Sequence, residues 1–132
     1  MYITLGTRPD ITYPIIKLAR FVSNPAPEHV TAAKRVLQYL KATIDYKINY
    51  TATSNTTSNN YISGYCDSDY AGDLIKAKST IGFIFFLAEG LISWKSKLQS
   101  IVTQSTTEAE YIAINIAIKE AVYIKALLQE LS

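Results

Sequence analysis

The fold turns on residues 61–97, YISGYCDSDYAGDLIKAKSTIGFIFFLAEGLISWKSK. Tyr61 to Tyr70 reads as a strand, and Gly72-Asp73 opens a loop that runs through Lys76 and Lys78. Ile81 to Leu87 is rich in β-branched and aromatic residues and forms a second strand. Glu89-Gly90 ends it, and Leu91 to Lys97 follows as a third, so the last two make a hairpin. From Ser105 the apolar spacing becomes helical and stays so to the C-terminus. The expectation is a three-stranded antiparallel sheet backed by one long helix.

Upstream, residues 51–60, TATSNTTSNN, hold no apolar side chain larger than alanine and read as a linker. Residues 1–50 read as two amphipathic helices. Asp10 or Thr12 is placed to cap the first, Pro14 is tolerated in its opening turn, and Ile11, Ile15, Leu18 and Val22 recur at helical spacing. Asn24-Pro25-Ala26-Pro27 breaks it. The second spans about Glu28 to Thr43, with Val30, Ala33, Leu37 and Leu40 as its apolar stripe. The fold class is α+β: a helical segment at 1–50, a linker at 51–60, and the sheet and helix at 61–132.

Hydrophobic residues make up 48% of the chain, enough for a core, so disorder by composition is excluded. The net charge of +2 conceals an asymmetry. Residues 1–50 carry seven Lys/Arg against three acids, a net of +4; residues 51–132 carry six against eight, a net of −2. The first part can meet phosphates, although solvated helix faces explain it equally well. Cys66 stands alone, so no internal disulfide framework exists and a reducing, intracellular compartment (cytoplasmic or nuclear) is expected. No signal peptide and no membrane span are legible. The sequon at Asn55-Thr56-Thr57 is therefore read as accidental.

Two places can carry chemistry. Asp67 and Asp69 form a D-x-D on the first strand, where alternation puts both on one face and Cys66 and Ser68 on the other. Carboxylates that close repel unless a cation sits between them, and magnesium, held by few carboxylates plus phosphates, is the natural one. Such a short pattern also arises at any strand end turning into a solvated loop. The helix is more specific. Ser105-Thr106-Thr107-Glu108 fits a capping box, which accounts for Glu108. Glu110 falls instead on the face of Ile114, Ala117, Ala121, Ile124 and Leu128, at the tip of the surface expected to pack on the sheet. A carboxylate there is costly unless it is paired, metal-bound or reaches the rim. The expectation is that Glu110 meets Asp67 across the sheet–helix junction and shares a cation with it. His29, the only histidine, reads as a surface residue, and Lys76, Lys78, Lys95 and Lys97 read as a phosphate-facing edge or as edge protection.

These segments resemble a known family. TRPDITYPIIKLARFVSNP and AAKRVLQYLKATIDYKINY resemble the end of a copia-type retrotransposon reverse transcriptase. GYCDSDYAGD, KSTIGFIFFL, ISWKSK and QSTTEAEYIAI resemble the N-terminal part of the ribonuclease H that follows it in the Pol polyprotein. Tyr70 departs from the tryptophan more usual in the family. The resemblance implies a ribonuclease H-like fold, here truncated, and two-metal, magnesium-dependent hydrolysis of RNA in RNA–DNA hybrids. The family's strand aspartate maps onto Asp67 and its helix glutamate onto Glu110; no ligand role is carried onto Asp69. The family's third catalytic aspartate, on a fourth strand, has no counterpart in residues 1–132, so the chain alone is expected to be inactive and to leave a sheet edge open to self-association. Two rival readings are a non-catalytic remnant binding nucleic acid or protein, and an unrelated D-x-D enzyme such as a nucleotide-sugar transferase. Length and the lack of a nucleotide-binding half argue against the last.

Overall fold

The computed structural model describes residues 2–50, 61–73 and 77–131. The 51–60 segment and Lys76 lie outside them. Two compact units form, Met1–Ile48 and Asn49–Ser132.

The first unit holds α1 (Tyr2–Gly6), a 3-10 turn (Pro9–Ile11), α2 (Thr12–Ala19) and α3 (Pro27–Ala42). The two expected helices are present, but four details differ. Helix α1 was not foreseen. Helix α2 ends at Ala19, so Val22 lies beyond it and is exposed. The stripe of α3 is rotated: Val30, Ala33 and Leu37 are exposed, whereas His29, Ala32, Val36 and Leu40 are half-buried. Neither Asp10 nor Thr12 caps α2; its N-cap is Ile11, with no side-chain cap. Thr12 instead donates its hydroxyl to the Thr4 carbonyl at 3.2 Å.

Asp10 has another task. Arg8 is buried and binds Asp10 through Nε and Nη2, the latter at 2.7 Å, while reaching the Thr43 carbonyl at 3.1 Å and the Thr43 hydroxyl at 2.6 Å. Tyr39 donates to Asp10 at 2.9 Å, and the Arg8 guanidinium lies near the Tyr39 and Tyr46 rings. This node ties the 3-10 turn to the end of α3. The Arg8 hydrogen bond, supported by Tyr39, holds the Asp10 carboxyl below the ordinary aspartate range. A depressed carboxylate pKa stabilises the fold above the unfolded value, about 3.9, and that contribution is lost as pH falls through the folded value. Asp10→Asn should therefore lower the thermal stability of the first unit at pH 7 and flatten its dependence on pH below about 4, which far-UV circular dichroism of both chains would show. An unchanged acid profile would remove Asp10 from the node.

His29 also has a structural role. Its Nδ1 accepts the Ala26 N–H at 3.0 Å, and its ring stacks on Phe21 at 4.0 Å. It helps start α3 after the Pro-rich break.

The second unit is a three-stranded antiparallel sheet, order β1-β2-β3, with β1 at Ser63–Asp73, β2 at Lys78–Leu87 and β3 at Gly90–Leu98, followed by α4 at Thr106–Leu131. This is the expected α+β arrangement. Strand β1 runs further than foreseen, because Gly72-Asp73 still belongs to it; a register shift between Asp69 and Asp73 absorbs the irregularity, with Ala71 at φ 50°. The β2–β3 turn is Ala88-Glu89, both in the left-handed region. Primed two-residue turns demand that conformation, which Asn-Gly adopts more readily.

Helix α4 packs on β1 and β2. The core joins Phe83 and Phe85 of β2 to Ala117 and Ile124 of α4, with Cys66, Ile92 and Ile116 packed around them. Ala109, Ala113 and Ala117, four residues apart, let the helix backbone approach the sheet closely. The expected helix stripe is thus correct at Ala117 and Ile124 and wrong at Ile114, which is exposed.

Candidate functional site

Cys66 packs against the core beneath α4, and Ser68 is buried. Their Cα partners on β2 are Phe83 and Ile81, also buried. Alternation therefore sends Asp67 and Asp69 to the opposite face of the sheet, where both are exposed. Asp67 has Gly82 as its cross-strand partner, and Gly82 in turn pairs with Ser96. A Cβ at Gly82 would meet nothing within 4 Å, so the surface beside Asp67 is open. Asp69 lies differently: a Cβ on Gly72 would fall 2.0 Å from its Oδ2, so its carboxylate lies back against its own strand.

The start of α4 follows the capping box. Ser105 Oγ accepts the Glu108 N–H at 3.1 Å, and Glu108 Oε2 accepts the Gln104 N–H at 2.7 Å. Glu108 is thereby committed to the cap and exposed. Glu110, at the start of the second turn, is half-buried. Neither the Asp67 nor the Glu110 carboxylate makes a hydrogen bond or ion pair among the described residues. No group of three His, Cys, Asp or Glu residues suited to a metal occurs among them either.

Between these two carboxylates runs a polar network that sequence reasoning missed. Gln99 is buried and donates its Nε2 to the Ala109 carbonyl at 3.0 Å and to Ser68 Oγ at 3.5 Å, and its backbone N–H donates to Ser79 at 2.8 Å. Ser79 is fully buried; its hydroxyl meets Thr103 at 3.0 Å and accepts the Ala71 N–H at 3.2 Å. The first turn of α4 is thus fixed to the β1 segment that carries Asp67. The polar residues Gln99, Ser100, Thr103, Gln104 and Ser105 on either side of Ile101-Val102 were the available signal, but they also fit an ordinary loop.

The lysines do not form a shared edge with Asp67. Lys95 and Lys97 pair with Phe83 and Ile81, which puts them on the helix side of the sheet, and Lys78 donates to the Ser100 carbonyl.

The chain is 41% identical to the secreted RxLR effector protein 161 of Plasmopara viticola, over 94% of its own length and 84% of that protein. It is 43% identical, over 99% of its length, to the retrovirus-related Pol polyprotein from transposon TNT 1-94 of Nicotiana tabacum, and 42% identical, over 95%, to that from transposon RE1 of Arabidopsis thaliana. Its homologues thus include retrovirus-related Pol polyproteins from transposons, and the chain matches a segment of them. It spans about a tenth of the length of those Pol polyproteins, 10% of one and 8% of the other. No family profile and no solved structure matches this Pol-related chain. No helix among its described residues is long and apolar enough to cross a membrane.

Proposed function

We propose that this Pol-related segment is the reverse transcriptase–ribonuclease H junction of a copia-type element, with Asp67 and Glu110 as its metal-side carboxylates. In the whole polyprotein such a site would hydrolyse the RNA of RNA–DNA hybrids. The supporting observation is positional. Asp67 sits on the outer face of β1, and Glu110 sits near the N-terminal end, in the second turn, of the helix packed against the inner face. Two carboxylates so placed meet only round the rim of β1, and among the described residues β1 is an edge strand with no neighbour on that side.

Magnesium fits the donor set in kind but not in number. Asp67 and Glu110 offer hard oxygen donors with no competing partner among the described residues, which suits one magnesium ion holding most of its waters. They do not suffice for a close pair of ions, whose charge needs further carboxylates. Bound there, the ion would supply Lewis acidity toward a phosphate. The protein's part is to hold the two carboxylates at one rim through the Gln99–Ser68–Ala109 ties.

Manganese added to labelled chain should broaden amide signals around Asp67 and around the first turn of α4 together. Asp67→Asn should remove both effects. Broadening confined to the Asp67–Asp69 strand, unchanged in Glu110→Gln, would exclude Glu110 from the site.

A further inference from the structure

Helix α4 carries a second apolar stripe that stays exposed among the described residues. Tyr111, Ile114, Ile118 and Val122 are 70%, 41%, 55% and 62% exposed. At 100° per residue they fall within about 80° of one another, on the side of the helix opposite Ala113 and Ile124. They span about 17 Å of helix. The C-terminal side chains Leu127 and Leu131 are exposed as well.

Charge along the helix indicates what can cover this stripe. The N-terminal end has Glu108 and Glu110, and the middle and C-terminal part has Lys119 and Lys125; of its two acids, Glu120 is turned to the sheet, where it accepts from Ser93, and Glu130 lies at the far end of the helix. A second copy running parallel would set acid beside acid and base beside base. A copy running antiparallel, centred near residue 116, reverses this. Tyr111 then lies opposite Val122 of the other copy, Ile114 opposite Ile118, and Lys125 comes beside Glu110 on the same flank. One twofold axis satisfies every pairing twice, as closed dimers require, and the charge pattern selects direction as well as partner. Another self-pairing surface, the edge of β1, is less suited. It carries the exposed Asp67 and Asp69, and a second β1 beside it would crowd carboxylates together.

We infer that two copies of this chain associate through the outer face of α4 as an antiparallel helix pair. This does not rest on the nuclease reading. A stripe this short buries less than the roughly 1,200 Å² of a stable complex, so the dimer is weak, with a Kd on the order of 10–100 µM.

Sedimentation of the full chain from about 1 to 500 µM should show a monomer–dimer equilibrium in that range. Ile118→Glu, a substitution at an exposed site with circular dichroism unchanged, should weaken it at least tenfold, and Lys125→Glu several-fold. Direction is tested by single cysteines in a Cys66→Ser background. Asn115→Cys lies near the axis and should cross-link to itself under mild oxidation. Val122→Cys should not, because antiparallel copies hold that position about 18 Å apart along the helix. A monomer throughout, a dimer indifferent to Ile118→Glu, or self-cross-linking at position 122 would each overturn the inference.

Discussion

Purified residues 1–132 should show no cleavage of an RNA–DNA hybrid in magnesium or manganese. Each magnesium needs near-octahedral oxygen coordination, and in-line displacement by two ions needs several carboxylates to hold them close. The described residues bring together no such group, and Asp67 and Glu110 provide only two ligands. Supplying the family segment that bears the further aspartates should restore cleavage, because a strand added beside β1 would bring a carboxylate to the rim at which the proposed site lies. In that extended chain Asp67→Asn or Glu110→Gln should lower the rate by at least roughly 100-fold, more than the loss of a residue that merely supports a ligand. Robust cleavage by residues 1–132 that is lost on either substitution would show that another group, Asp69 first, completes the site.

The largest stability effect is expected at Phe83. Its ring is 4% exposed and packs with Phe85, Ala117 and Ile124, with Cys66 against the same cluster. Truncation to alanine loses the transfer energy of the ring and leaves a cavity that the close approach of α4 cannot collapse. Such changes cost about 3–5 kcal/mol, against about 5–15 kcal/mol for a whole domain. Urea unfolding followed through Trp94, the only tryptophan and a residue of β3, should therefore shift steeply in Phe83→Ala. Lys95→Ala, at the neighbouring register position but exposed, should stay within about 0.5 kcal/mol of the parent. Equal shifts for the two would mean that the sheet–helix core does not hold this unit together.

The sheet and the start of α4 were legible because their signals are local. Alternation along β1 placed Asp67 and Asp69 on one face and Cys66 and Ser68 on the other, and the pairing with β2 agrees. Ser105 and Glu108 form the cap that their spacing indicated. Helix phase was less legible. Ile112, Ile114, Ile116 and Ile118 alternate along α4, so apolar side chains point in most directions and several stripes can be drawn through them. Three alanines, not the isoleucines alone, mark the face that packs. In α3 the same ambiguity rotated the expected stripe by about one residue. The Arg8 node was hidden for another reason: its partner Thr43 is 35 positions away, and no local pattern announces a buried arginine. The Gln99 network likewise joins three separate elements.

The shared carboxylate site at the rim of β1 is tested most directly by manganese-soaked crystals of the chain measured at the manganese absorption edge. The expected result is an anomalous peak with carboxylate oxygens of both Asp67 and Glu110 about 2 Å away, and Glu108 still on the Gln104 N–H. A peak bound by Asp67 and Asp69 alone, or Glu108 turned toward Asp67 in place of Glu110, would contradict it.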